Sequence, residues 1–192
     1  MNVLIIFAHP NPHSFNQAIL EVVDATLREQ GHATRIHDLY QMQFRAVMDS
    51  DDLARNWRGD LPEDTLAEQA AIRWAQGLVF IYPIWWFGPP AILKGWIDRV
   101  FTRKFAFEFG SDGMKGLLTH ERALVLNTLG GDEATYQQQN WHELLVRPMS
   151  EGVLSACGVH QVIHRAFYEV TTVSPAERRA MLDEVRELAS GF

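Results

Sequence analysis

The sequence predicts a doubly wound α/β fold: a five-stranded parallel sheet with helices on both faces, in a single domain over residues 1–192. Short, almost wholly apolar runs alternate with amphipathic stretches from one end of the chain to the other, which is the pattern of a parallel sheet covered on both sides. A chain of 192 residues that is 47% hydrophobic can close a full core within the usual size of one domain. No internal repeat, low-complexity tract or linker divides it.

The elements follow in order. Met1–Ala8 (MNVLIIFA) reads as a buried strand. Phe15–Gln30 reads as a helix with Ile19, Val22, Val23 and Leu27 on one face and Gly31 as its stop. Ala33–Leu39 is the second strand. Tyr40–Glu63 lacks sustained periodicity and is long for a connection, so it is either a functional excursion or holds an unplaced short helix. A helix from about Asp64 to Gln76 leads to the third strand, Gly77–Tyr82, and Ala91–Phe101 forms another helix in which Trp96 and Val100 share a face. Phe105, Phe107 and Phe109 alternate, which puts their rings on one side of an extended backbone, and the glycines after them mark a loop. Arg122–Leu129 is the fourth strand, followed by Gly130, Gly131 and a helical stretch to about Ala156; Val159–Phe167 is the fifth. Ser174, Pro175 and Glu177 agree on the start of the last helix.

Composition narrows the function classes. Cys157 is the only cysteine, which excludes an intramolecular disulfide and a thiolate metal cluster, and no metal site is expected. A formal charge of −7 argues against general attraction to nucleic acid or anionic lipid. No apolar stretch is long enough to span a bilayer and no signal peptide precedes the first strand, so a cytoplasmic protein with a small-molecule partner is expected.

In an open parallel sheet, ligands bind beyond the carboxyl ends of the strands. Two unusual loops sit at such ends. HPNPHSFN (His9–Asn16) follows the first strand, and its Ser14 to Gln17 spells a capping box. The same helix start also suits a phosphate, with His9, Ser14 and Asn16 as further donors. After the third strand, Pro83–Gly88 must be irregular, because Pro89 and Pro90 precede the next helix, and it carries Trp85, Trp86 and Phe87, which suit a flat ring. No GxGxxG or Walker sequence follows any strand, so a flavin fits better than a nicotinamide held in its own fingerprint. Thr128, Leu129, Gly130 and Gly131 make a third wall. Tyr136 and His142 follow it six residues apart, roughly 1.7 turns of an ideal helix and so not on one face.

The segments AHPNPHSFNQA, DLYQMQF, WWFGPPAILKGWIDRVF, and TLGG followed by Tyr136 and His142 are the most specific parts of a match that spans most of the chain. Together they resemble the flavodoxin-like NAD(P)H:quinone oxidoreductases of the DT-diaphorase type, in the compact bacterial form. The resemblance implies a flavodoxin-like fold, a homodimer, non-covalent FAD (or FMN, as in some compact members), and ping-pong transfer of hydride from NAD(P)H to a quinone. Under it, His9, Ser14, Phe15 and Asn16 hold the pyrophosphate and ribityl chain, Pro83, Ile84, Trp85, Trp86 and Phe87 line the isoalloxazine, and Thr128, Gly130 and Gly131 bind the pyrimidine edge. Tyr136 and His142 are the implied catalytic donors to charge developing on that edge. Trp86, Phe87 and His142 meet the substrate, with Phe107 and Phe109 where mammalian members place two tyrosines, which makes the pocket more apolar. Two other readings share the fold: an ancillary regulatory subunit of a potassium efflux system, bound peripherally to a membrane transporter, and a one-electron carrier of flavodoxin type.

Overall fold

Along β1 (Asn2–Phe7) successive side chains must point to opposite faces, yet Val3 through Phe7 are all buried. The two sets enter different cores. Leu4 and Ile6 join Leu78, Phe80, Ala123 and Val125 on one face, while Val3, Ile5 and Phe7 join Val79, Ile81, Leu124 and Leu126 on the other. This is why the strands read as continuous apolar runs rather than as alternating ones. The computed structural model describes residues 1–192. Its main sheet contains β1, β2 (Ala33–Asp38), β3 (Gly77–Pro83), β6 (Arg122–Thr128) and β7 (Gln161–Phe167) in the order β2-β1-β3-β6-β7, all parallel.

Helices cover both faces, as expected. α1 (Phe15–Glu29) and α7 (Pro175–Ser190) pack on one side through Ile19, Val23, Leu27, Val185 and Ala189. α3 (Glu63–Trp74) and α4 (Ala91–Val100) pack on the other, where Ile72, Leu93, Trp96 and Val100 are fully buried. The chain direction across the sheet reverses between β1 and β3. The crevice outside their carboxyl ends is therefore the switch point of the fold, bounded by the two loops singled out in the sequence.

One open reading is resolved and three others change. The 40–63 connection contains α2 (Ser50–Arg58), with an Asp49–Asp52 capping box and Gly59 at φ 77° as its left-handed stop. Its buried residue is Asp52, which pairs with Arg45 and Arg99, so no apolar stripe betrays it. The stretch from Gly131 to Ala156 is not one helix. It runs as α5 (Glu133–Gln138), a left-handed Asn140 at φ 56°, α6 (Trp141–Met149), and a π-helical turn over Ser150–Ser155. Pro148 lacks the N–H that the regular ladder needs, and the register widens just after it.

The segment after Phe105 is a β-hairpin, β4 (Phe107–Gly110) with β5 (Gly113–Gly116), rather than a plain loop. Phe107 and Phe109 share a side with ring centroids 5.5 Å apart. Phe105 precedes the strand and is buried under Arg73 instead. Finally, Ser14 caps α1 but the box is one-sided: Gln17 donates its backbone N–H to Ser14 Oγ at 3.2 Å, while its side chain bonds Glu21 and not the cap. At α7 the box is complete, with Ser174 and Glu177 bonding reciprocally.

Candidate functional site

The first wall begins where β1 ends. His9 Nδ1 lies 3.0 Å from the Asn11 amide and 3.2 Å from the Asn11 carbonyl; with the shorter contact made by the donating amide, the ring proton sits on Nε2, and burial lowers the pKa below the ordinary value. A neutral imidazole with a free Nε2–H is a donor. In the first turn of α1 the amides of Phe15 and Asn16 donate to nothing within the chain. Asn16 is buried, gives Nδ2 to Thr128 Oγ1 at 2.6 Å, and leaves its own Oδ1 without a partner. That single bond ties the start of α1 to the end of β6 across 112 residues of sequence.

The second wall is a tight turn. Trp85 and Gly88 exchange both backbone bonds, at 2.9 and 3.1 Å, around Trp86 at φ 50° and Phe87 at φ 62°. Two positive φ values make a turn that normally takes Asn-Gly, so two aromatic residues there are held in a sparsely populated conformation. Packing explains only half of it. Phe87 meets Tyr136 at 5.9 Å and Trp141 at 5.5 Å, but Trp86 is 97% exposed. The amides of Trp86 and Phe87 are also unpaired. Trp85 stands edge-on to His9 at 6.3 Å, which joins this wall to the first.

The third wall follows β6. Ile84 donates its amide to the Thr128 carbonyl at 2.8 Å, and the amides of Gly130 and Gly131 have no partner in the chain. A Cβ on Gly131 would lie 2.5 Å from the Tyr136 ring, so glycine is what lets that ring close over the loop. Tyr136 packs against Phe87, Trp141 and Tyr168, and its hydroxyl makes no hydrogen bond within the chain. His142 Nδ1 bonds the Tyr168 hydroxyl at 2.7 Å.

Beneath this wall lies a polar network. His164 bonds Asn127 through Nε2 and Ser150 through Nδ1, the latter at 2.8 Å, and Asn127 reaches the Tyr82 carbonyl. Burial lowers the His164 pKa to about 4. It is a neutral spacer at physiological pH. The π-helical turn carries Ser150 to this network, which gives that irregularity a structural reason.

Residues 1–189 match the model of one family, described as a flavodoxin-like fold. The chain belongs to that flavodoxin-like family. It is 38% identical over 181 residues to a ribosyldihydronicotinamide dehydrogenase-like protein of Penicillium crustosum, covering 80% of this chain and 68% of that one. It is 33% identical over 184 residues to an NAD(P)H oxidoreductase of Haemophilus influenzae, covering 95% and 91%. Among solved structures, the NAD(P)H:quinone oxidoreductase from Methanothermobacter marburgensis superposes with a TM-score of 0.90 at 32% identity, covering 99% of this chain and 98% of that one.

Of the residues singled out in the sequence, His9 meets Trp85, Asn16 and Ile84 meet Thr128, and Phe87 and Gly131 meet Tyr136, so the segments that carry them, together with Ser14, Phe15, Pro83, Trp86 and Gly130, lie at the carboxyl ends of β1, β3 and β6. His142 is joined to Tyr136 through Tyr168. Tyr136 and His142 sit on separate helices because Asn140 breaks the stretch between them, so their spacing along one ideal helix loses its meaning. Phe107 and Phe109 lie elsewhere, in an apolar groove with Leu53, Trp57, Phe101 and Arg103. The sequence reading missed Trp141 and Tyr168. Tyr168 stands directly after β7, so the rule that selected Thr128, applied to the last strand, finds it.

Proposed function

We propose that the protein is a flavin-dependent NAD(P)H:quinone oxidoreductase that transfers two electrons as hydride by a ping-pong mechanism. The observation that carries this reading is the set of unpaired amides at Phe15, Asn16, Trp86, Phe87, Gly130 and Gly131, arranged around an exposed aromatic turn. Free amides at a helix start suit phosphate, and amides beside a planar slot suit the carbonyl-rich edge of a flavin. The orphaned Asn16 Oδ1 fits the same ligand, since it can accept from a ribityl hydroxyl. When bound, a flavin supplies the redox chemistry: it takes hydride from NAD(P)H and passes it to a quinone.

The chain's own residues then do four things. His9 Nε2–H and the first turn of α1 offer donors to phosphate. Trp85, Trp86 and Phe87 cover a ring face and exclude water. The Gly130 and Gly131 amides, with the Tyr136 hydroxyl and His142, offer donors where negative charge grows. FAD is favoured over FMN, because the concave surface past His9 continues over Gln17, Asp38, Tyr40 and Gln41 and gives a second half-nucleotide a place to lie.

The same reading makes the protein a homodimer. Leu53, Trp57 and Phe109 are each more than half exposed and line one groove with Phe107, an apolar surface suited to burial against a second copy. Each protomer would then complete its partner's substrate pocket with Phe107 and Phe109. No helix is long and apolar enough to cross a membrane.

Steady-state assays with NADH and NADPH against several quinones test the activity, with parallel double-reciprocal lines expected for ping-pong kinetics. A protein that stays colourless after reconstitution with either FAD or FMN overturns the reading.

A further inference from the structure

We propose that Tyr168 is a positioning residue that fixes His142 in its Nε2–H tautomer and couples that ring to Tyr136. The proposal rests on the functional reading of Tyr136 and His142 given above. Nothing in the sequence pairs these two residues directly. In the structure they are joined through a third ring, since Tyr168 packs edge-on against Tyr136 at 5.6 Å, lies nearly parallel to His142 at 6.4 Å, and bonds His142 Nδ1 through its hydroxyl at 2.7 Å.

The environment of Tyr168 decides which way that bond runs. The residue is 4% exposed, packed with Leu129, Leu145 and Ala166 at the carboxyl end of β7. Its hydroxyl has His142 as its hydrogen-bond partner and no other in the chain. If the phenol only accepted from a protonated Nδ1, its own proton would be left buried without an acceptor, and buried donors are seldom left so. The hydroxyl therefore donates, Nδ1 is the acceptor, and the ring proton resides on Nε2. Burial also raises the pKa of Tyr168, so the phenol keeps the proton it donates.

The consequence is an assembly with its polar ends directed by one buried residue. Tyr168 spends its only hydroxyl on His142, whereas the Tyr136 hydroxyl and His142 Nε2 make no bond within the chain. Those two atoms remain for ligands. His164, held neutral nearby, adds no competing positive charge. Tyr168 touches neither substrate nor flavin in this arrangement, and it acts by holding the ring that does.

Tyr168→Phe keeps the ring and removes the hydroxyl, so it separates packing from positioning. Ring nitrogen-15 shifts of His142, read in the flavin-free protein, should report a single Nε2–H tautomer in the parent and a mixture in Tyr168→Phe. In the loaded protein, the same variant should lower kcat about three- to tenfold, the factor expected for one hydrogen bond, with KM and flavin content unchanged. Tyr168→Phe combined with His142→Gln should be no slower than His142→Gln alone. His142 shifts that do not respond to Tyr168→Phe overturn the proposal, as do rate effects that multiply in the double variant. Because the tautomer is read without flavin or activity, a parent protein that fails to oxidise NAD(P)H would refute the proposed function while the shifts still decide the role of Tyr168.

Discussion

Trp86 allows the functional reading of the aromatic turn to be separated from any structural one. It sits at φ 50° with its side chain 97% exposed, so it contributes backbone strain and no packing. The left-handed conformation costs a bulky residue about 1–2 kcal/mol, and Asn, whose short side chain bonds locally, far less. Trp86→Asn removes no buried contact, keeps the turn, and avoids the chain entropy that glycine would add. Without flavin the variant should be more stable by about 1 kcal/mol, which for a chain of this size raises the melting temperature by roughly 2–4 °C. With flavin the order should invert, because the ring that covers the isoalloxazine is gone. Differential scanning calorimetry of the flavin-free proteins and fluorescence titration with FAD measure the two halves. An Asn variant that melts no higher than the parent and binds FAD equally well would refute the argument that the strain is kept for the ligand.

Other substitutions probe the scaffold and the chemistry. Arg99 is buried between Asp64, bonded bidentately at 2.6 and 2.9 Å, and Asp52. Arg99→Met should cost about 2–3 kcal/mol by urea unfolding, below the full range for a broken buried pair because Asp64 is partly exposed and Asp52 keeps Arg45. Asp52 is held at about 2, first by its bond to Arg45, against an ordinary 3.8, so its contribution is present above pH 3.8 and lost as pH falls toward 2. Arg45→Gln should therefore shift acid unfolding, followed by circular dichroism, to higher pH. Asn16→Leu breaks the link to Thr128 and should weaken flavin retention on gel filtration with a stability loss of about 1 kcal/mol. Tyr136→Phe and His142→Ala should slow flavin reduction by up to about a hundredfold with flavin content unchanged, in anaerobic stopped flow.

The sheet was legible because its buried central strands β1, β3 and β6 leave continuous apolar runs; the part-buried edge strands β2 and β7 carry no such run, yet each lies where the sequence placed it. The crevice was legible for a related reason: the order in which those strands alternate with helices places their carboxyl ends together. What stayed hidden depends on polar burial and long-range contacts. α2 turns Asp52 inward rather than an apolar stripe, so periodicity had nothing to detect. The break at Asn140 and the π-helical turn after Pro148 serve a network linking Ser150, His164 and Asn127, whose members are scattered in sequence. Tyr168 escaped notice because the strand-end rule was not carried to β7 and a lone tyrosine there adds no motif, its meaning coming from the ring of His142 beside it. Ser14 shows the converse, where a motif read as a two-way box is realised in one direction.

The most direct test of the central claim is a single-turnover experiment on the FAD-loaded protein under anaerobic conditions. One equivalent of NADH or NADPH should bleach the flavin in a single step, and a stoichiometric quinone added afterwards should restore it in a second, at rates that account for turnover. Flavin that stays oxidised in the presence of both nucleotides, or that is reduced but not reoxidised by any quinone, would contradict it.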